Sequence, residues 1–124
     1  IDYIRMTVTH SGGLTAMRKI AALGEIYHVR TGCHGPTDIS PAGMAACLHF
    51  DMWAPNFGIQ EYMIQADETL EIFDAEFKFD DGYVVLPDRP GLGVDYDETR
   101  AEKHPYVRAY LPVNRREDGS MWHW

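Results

Sequence analysis

The amino-acid sequence predicts an α/β fold with parallel strands joined by helical crossovers. Residues 2–62 alternate strand, helix, strand, helix, strand, the order in which parallel sheets are built. The two longer segments carry apolar residues at helical spacing, whereas the short ones between them are enriched in β-branched and aromatic residues. Gly, Pro and Ser clusters stand at the boundaries, where turns and helix caps need them.

The first strand is expected over residues 2–9, rich in Ile, Tyr, Val and Thr, and His10-Ser11-Gly12-Gly13 ends it. Thr15 is placed to cap a helix running to about His28, with Met17, Ile20, Ala21, Leu23 and Tyr27 along one face. Val29-Arg30-Thr31-Gly32-Cys33 is the second strand, stopped by His34-Gly35-Pro36. Ser40-Pro41 starts the second helix, Ser as N-cap and Pro at the first helical position, where its missing N–H costs nothing. That helix should reach Met52, with Met44, Ala45, Cys47, Leu48 and Met52 on the core, before Ala54-Pro55-Asn56 and a third strand over 57–62. A short helix follows over 67–73. A β-hairpin is expected between residues 75–79 and Tyr83-Val84-Val85-Leu86, turning at Asp80-Asp81-Gly82. Pro87 to Asp95 reads as a loop, and the rest as a tail wrapped on a surface.

The chain has 124 residues, 45% hydrophobic, which is enough apolar surface for one core. Lys and Arg number 11 against 19 Asp and Glu, a net charge of −8. An acidic surface argues against nucleic acid or anionic membrane as the main partner, since both need clustered cations. No apolar run approaches the ~20 residues that span a bilayer. Two cysteines, Cys33 and Cys47, make no disulfide framework, and a reducing cytoplasm is the expected compartment. The chain opens on Ile1, directly in a strand, as the end of a longer protein would. Two crossover helices cannot cover both faces of three strands, so edges and apolar faces are expected to be open. The element order is that of the last third of a barrel.

Functional residues of parallel sheets collect at the carboxyl ends of the strands. Those ends are Thr9-His10-Ser11-Gly12-Gly13, then Cys33-His34-Gly35-Pro36-Thr37-Asp38, then Gln60-Glu61-Tyr62. His34, Asp38 and Glu61 therefore share one rim, with Arg5 inside the first strand. One imidazole, two carboxylates and a guanidinium suit a hydroxylated anion: Arg5 takes its carboxylate and the acids take its hydroxyls. Blander roles exist, a loop hydrogen bond for His34 and a helix cap for Asp38. Zinc is not expected from Cys33, His34, Cys47 and His49, because Cys47 and His49 stand two apart in a helix and diverge. Gly12-Gly13 is read as a tight turn rather than a phosphate cradle, since no P-loop lysine follows.

Larger motifs resemble a known family. Asp2-Tyr3-Ile4-Arg5, Gly12-Gly13-Leu14-Thr15 and Lys19-Ile20-Ala21-Ala22-Leu23 resemble the sixth strand and helix of the enolase (mandelate racemase–muconate lactonizing enzyme) superfamily. Thr31-Gly32-Cys33-His34-Gly35, Asn56-Phe57-Gly58-Ile59-Gln60-Glu61-Tyr62, Pro90-Gly91-Leu92-Gly93-Val94-Asp95 and Leu111-Pro112-Val113-Asn114-Arg115 resemble its D-mannonate dehydratase, or starvation-sensing, group. The resemblance implies strands six to eight of a modified TIM barrel, residues 1–73, followed by a hairpin and tail over 74–124 that return to a capping domain. It also implies a homo-oligomer.

The activity implied is Mg²⁺-assisted dehydration of D-mannonate or D-gluconate to a 2-keto-3-deoxy sugar acid. The metal would bind the acid's carboxylate and stabilise the enediolate left by α-proton removal. The metal ligands and principal bases would lie upstream of Ile1, so the isolated chain is not expected to be active. Arg5, His34, Asp38 and Glu61 match the family's substrate-binding residues, the quartet that the strand ends single out. Thr7 stands where members using this His as a base carry an Asp, which favours His34 as a hydrogen-bonding ligand or acid. Pro36 replaces the Ala of efficient mannonate dehydratases; relatives with Pro are weakly active or use D-gluconate. A sugar-acid-binding or regulatory relative with little turnover is the alternative. Finally, Trp122 and Trp124 are costly to leave in water, and Pro105 and Pro112 stiffen their approach. Trp124 is expected to wall the pocket near His34 and Glu61.

Overall fold

The computed structural model describes residues 1–86, 88–108 and 116–120. Strands β1 (Tyr3–Met6), β2 (Arg30–Cys33) and β3 (Phe57–Gln60) form a parallel sheet in the order β1-β2-β3. Helices α1 (Leu14–Ile26) and α2 (Pro41–Trp53) are the crossovers. An unreversed strand order with right-handed crossovers places successive helices on one face. The core agrees: Met6, Met17, Ala21, Cys33, Phe50 and Ala54, drawn from β1, both helices, β2 and the end of α2, form one buried cluster. The opposite face, with Tyr3, Arg5 and Ile59, is open. Tyr3 lies across that face only because β3 has a glycine opposite its ring. A Cβ on Gly58 would stand 2.5 Å from Tyr3 Cε1 and 2.6 Å from the Thr31 carbonyl oxygen.

Several boundaries differ from the sequence expectation. β1 stops at Met6 because residues 7–11 turn back, with Ser11 N–H donating to the Thr7 carbonyl (2.9 Å) and Thr7 N–H to Ser11 Oγ (3.2 Å). Gly13, not Thr15, caps α1; its φ of 88° favours glycine, which has no side chain to accept from the first turn, and Thr15 falls inside that turn. The helix ends two residues before His28, which adopts φ 57° while Val29 and His28 N–H donate to Gly24 and Glu25 carbonyls. Ser40 caps α2 as expected, Oγ accepting from Gly43 N–H. Met44, Ala45, Cys47 and Leu48 are buried, whereas Met52 faces outward, as do Leu23 of α1 and Tyr27 at its C-cap.

Beyond β3 come α3 (Asp67–Ile72), β4 (Phe73–Ala75), β5 (Lys78–Asp80), β6 (Tyr83–Val85), β7 (Val94–Tyr96) and α4 (Glu98–Ala101). β5 and β6 pair as a hairpin turning at Asp81-Gly82, both at positive φ (44° and 82°) as a type I′ turn requires. The expected single strand over 75–79 is divided. Residues 73–75 pair instead with β7, inside the segment read as a loop. Phe77, between the two short strands, is buried against Ile39, Met44, Ala45 and Leu48, with Tyr62, Val84, Leu86 and Val94 around them. α2 thus serves both cores. Among the described residues no helix is long and apolar enough to cross a membrane.

Candidate functional site

The parallel ladder continues one rung past the strand ends. His34 N–H donates to the Met6 carbonyl (2.8 Å) and Glu61 N–H to the Cys33 carbonyl (2.9 Å). Arg5 is level with Gly32 and Ile59 in register, one side-chain repeat before His34 and Glu61, so its long side chain reaches up the sheet face to them. Their side chains converge on a single atom. Glu61 Oε2 accepts from Arg5 Nη2 at 2.9 Å, from Gly35 N–H at 3.2 Å, and from His34 Nδ1. Arg5 Nη2 also lies against His34 Nδ1. The side chains keep 65%, 27% and 40% exposure for Arg5, His34 and Glu61, so the cluster is open to a ligand.

The hydrogen bond from His34 is the main influence holding the Glu61 carboxyl below the usual carboxylate range, helped by Gly35 N–H and Arg5 and opposed by burial. With Nδ1–H turned to Glu61, the imidazole is left with Nε2 for other chemistry. This corrects the reading of His34 as lacking a carboxylate partner. The partner comes from the end of β3 rather than from β1. Thr7 is buried against α2, its Oγ1 3.4 Å from Cys47 Sγ.

Asp38 does not reach the Glu61 cluster. It stands on the same rim with Oδ2 3.8 Å from His10 Nε2, and the His10 ring lies 6.3 Å from the His34 ring. Trp124 lies outside the described residues. Sequence reasoning placed His10 at a strand end but gave it no role. It also missed Gly35, where a Cβ would stand 1.8 Å from the Glu61 carbonyl oxygen and 2.6 Å from Met44 Cε. Only a glycine lets the His34 loop close onto β3. Cys33 and Cys47 are buried free thiols, and His49 lines a surface cleft with Leu14, Arg18, Phe50 and Trp53. Among the described residues no group of three or more His, Cys, Asp or Glu is placed to hold a metal ion.

Carboxyl-end residues on an unreversed parallel sheet, with helices on one face, define the architecture; the model of the enolase C-terminal domain-like family matches residues 1–100. The chain belongs to the enolase C-terminal domain-like family. Relatives are close. This enolase-family chain is 59% identical over all its 124 residues to "D-galactonate dehydratase family member ManD" of Chromohalobacter salexigens, and 59% identical to "D-mannonate dehydratase CC0532" of Caulobacter vibrioides. It spans 31% of the length of each. A solved enolase from Pantoea ananatis, with bound D-gluconate and Mg, superposes with a TM-score of 0.87 at 43% identity, over 98% of this chain and 30% of that one. A mandelate racemase/muconate lactonizing enzyme from Jannaschia sp. CCS1, 22% identical, shares the fold with a TM-score of 0.76, over 91% of this chain and 28% of its own.

Proposed function

We infer that this chain is the C-terminal part of an acid-sugar dehydratase that removes water from D-mannonate or D-gluconate. The observation that carries the reading is the convergence of Arg5, His34 and Gly35 N–H on Glu61 at the carboxyl ends of three adjacent strands. It is supported by relatives named as dehydratases and by a neighbour holding D-gluconate and Mg. In this reading β1, β2 and β3 are strands six to eight of the parent barrel, and residues 74–124 pack on the barrel and the capping region.

The described residues hold no cluster fit for Mg²⁺. The ion belongs to residues outside this chain, whose own part is binding and charge. Arg5 has donors beyond the one spent on Glu61 and lies on the open face, so it holds the acid's carboxylate. Glu61 stays ionised and accepts a hydroxyl. It also fixes the His34 tautomer, leaving Nε2 to meet a substrate hydroxyl as hydrogen-bonding partner or acid. Asp38 accepts a further hydroxyl.

The test is turnover by the full-length protein with Mg²⁺, following the 2-keto-3-deoxy acid from each substrate. Turnover of either acid is expected. Pro36, buried between His34 and Asp38, fixes the backbone that spaces them and favours a second reading. Binding of D-gluconate without product would establish that reading, a sugar-acid-binding relative, in place of the first.

A further inference from the structure

We propose that Gln60 is a positioning residue: its carboxamide takes a rung of the β2–β3 ladder at the Glu61 carbonyl and so frees the Gly35 N–H to hold the Glu61 carboxylate. The inference rests on the sugar-acid reading for what Glu61 binds, but not for how Glu61 is held. A parallel ladder passes its bonds evenly from strand to strand. Past the ends of β2 and β3 it requires Glu61 N–H on the Cys33 carbonyl, Gly35 N–H on the Glu61 carbonyl and Met63 N–H on the Gly35 carbonyl. The first and third are present, at 2.9 and 3.0 Å. The middle rung is replaced. Gly35 N–H donates to Glu61 Oε2 at 3.2 Å, and Gln60 Nε2 donates to the Glu61 carbonyl at 2.6 Å. That carbonyl still packs against Gly35, where a Cβ would stand 1.8 Å from its oxygen and 2.8 Å from Gln60 Nε2.

The neighbours of the Gln60 amide fix which way it points. Nε2 also donates to the Cys33 carbonyl at 3.2 Å, so both of its N–H groups meet carbonyl oxygens. A flipped amide would set its own oxygen against those two. Oε1 in turn is buried without a hydrogen-bond partner among the described residues. An unpaired buried oxygen is a cost that a methionine of similar length would avoid. What the glutamine supplies is therefore its two N–H groups, placed where β2 delivers His34 and β3 delivers Glu61. A backbone N–H in a ladder is ordinarily spent on a carbonyl. Because Gln60 satisfies that carbonyl, Gly35 can spend its N–H on a carboxylate instead.

The experiment follows the Glu61 carboxyl and the Gly35 amide by NMR as the full-length protein, labelled at glutamate and glycine, is titrated with acid. In the wild type the Gly35 amide shift should move with the Glu61 titration, since that N–H is bonded to the titrating oxygen. Gln60→Met removes both side-chain donors and returns Gly35 N–H to the Glu61 carbonyl. The Glu61 value should then rise, although Arg5 from β1 and His34 from the end of β2 still face the carboxylate, and the Gly35 amide should cease to follow it. For the acid that turns over, kcat/KM should fall roughly tenfold, the effect of one charge-assisted hydrogen bond. Gln65→Met is the comparison. Gln65 Nε2 ties the chain to the Ile39 carbonyl at 3.1 Å, so its loss should lower Tm without moving the Glu61 value. A wild-type Gly35 amide that ignores the Glu61 titration would overturn the inference, even if Gln60→Met does not fold. So would an unchanged Glu61 value in Gln60→Met, or an equal rise in Gln65→Met. Failure of the full-length protein to bind either sugar acid would overturn the sugar-acid reading and leave the titrations to decide on Gln60.

Discussion

Two polar hubs in this molecule use the same groups in opposite proportion. At the parallel strand ends one carboxylate, Glu61, is shared by a guanidinium, an imidazole and a backbone N–H. On the antiparallel strands β4 and β7 one guanidinium, Arg89, is shared by three carboxylates, Asp74, Glu76 and Asp95. The first hub leaves donors over: the rest of the Arg5 fork and His34 Nε2, on an open sheet face. In the second, Arg89 is only 28% exposed, both of its Nη atoms face carboxylates and the surplus charge is negative. An anion finds donors beside Glu61, whereas the three carboxylates around Arg89 repel it. What separates a binding site from a structural tie is therefore which sign is in the minority, together with where the strands end.

The comparison can be broken most directly at Glu61. In the full-length protein, Glu61→Gln and Arg5→Met should each lower kcat/KM about ten- to a hundredfold, the cost of a lost charge-assisted hydrogen bond, with circular dichroism unchanged. Wild-type kcat/KM in either variant would remove that residue from the site. The pH dependence has a definite sign. Because the folded carboxyl is held below its ordinary value, the stability that ionised Glu61 supplies is present above the ordinary carboxylate range. It is lost as pH falls through the lowered value. Titration followed by NMR of labelled Glu61, in the wild type and in His34→Gln, should show the value rising when the imidazole is removed.

Gly35→Ala is expected to come next. The added methyl would meet the Glu61 carbonyl oxygen at 1.8 Å, so the His34 loop must lift from β3. A displacement of this kind costs up to about a hundredfold in rate, and a roughly tenfold loss of kcat/KM with a lowered Tm is the expected outcome. An unchanged Tm would show that the loop yields freely.

Asp51 sharpens the contrast as an acid with no cation against it among the described residues. Burial pushes it from an ordinary 3.8 up to about 7, opposed by the Cys33 thiol, and burial with the adjacent Asp51 pushes that thiol far up in turn. The folded protein keeps the Asp51 proton that the unfolded chain gives up. Stability from this residue is therefore greatest below pH 4 and declines as pH rises towards 7. Asp51→Asn should flatten that decline, and the Tm of the two proteins, measured from pH 5 to 8, should diverge in favour of Asn as pH rises. The smallest effect is expected at Arg89. Arg89→Met should lower Tm only slightly, and less at high salt, because its three partners are solvent-exposed. It should leave kcat/KM within about twofold; a larger change would mean that the tie supports the site.

The parallel half of the molecule was legible because its signals are local. Ser40-Pro41, the helical spacing of Met44, Ala45, Cys47 and Leu48, and the strand-end positions of His34, Asp38 and Glu61 all follow from neighbours in sequence. Residues 73–96 were less legible. Three-residue strands carry almost no periodicity, and β4 finds β7 across about twenty residues of intervening chain. Phe77 turns to α2 because a buried apolar site is waiting there, which no local pattern announces.

By itself the sequence determined the order of elements, the parallel sense of the sheet and the set of residues at its carboxyl rim, since periodicity and capping are properties of adjacent residues. Only the tertiary structure decided which of those residues meet. Register placed His34 and Glu61 on one level, one side-chain repeat beyond Arg5, and Thr7 turned into the core, while a single missing Cβ at Gly35 let two loops touch. Asp38 went to His10 for the same reason: a contact between loops depends on backbone paths in three dimensions, and those are set by packing rather than by neighbours along the chain.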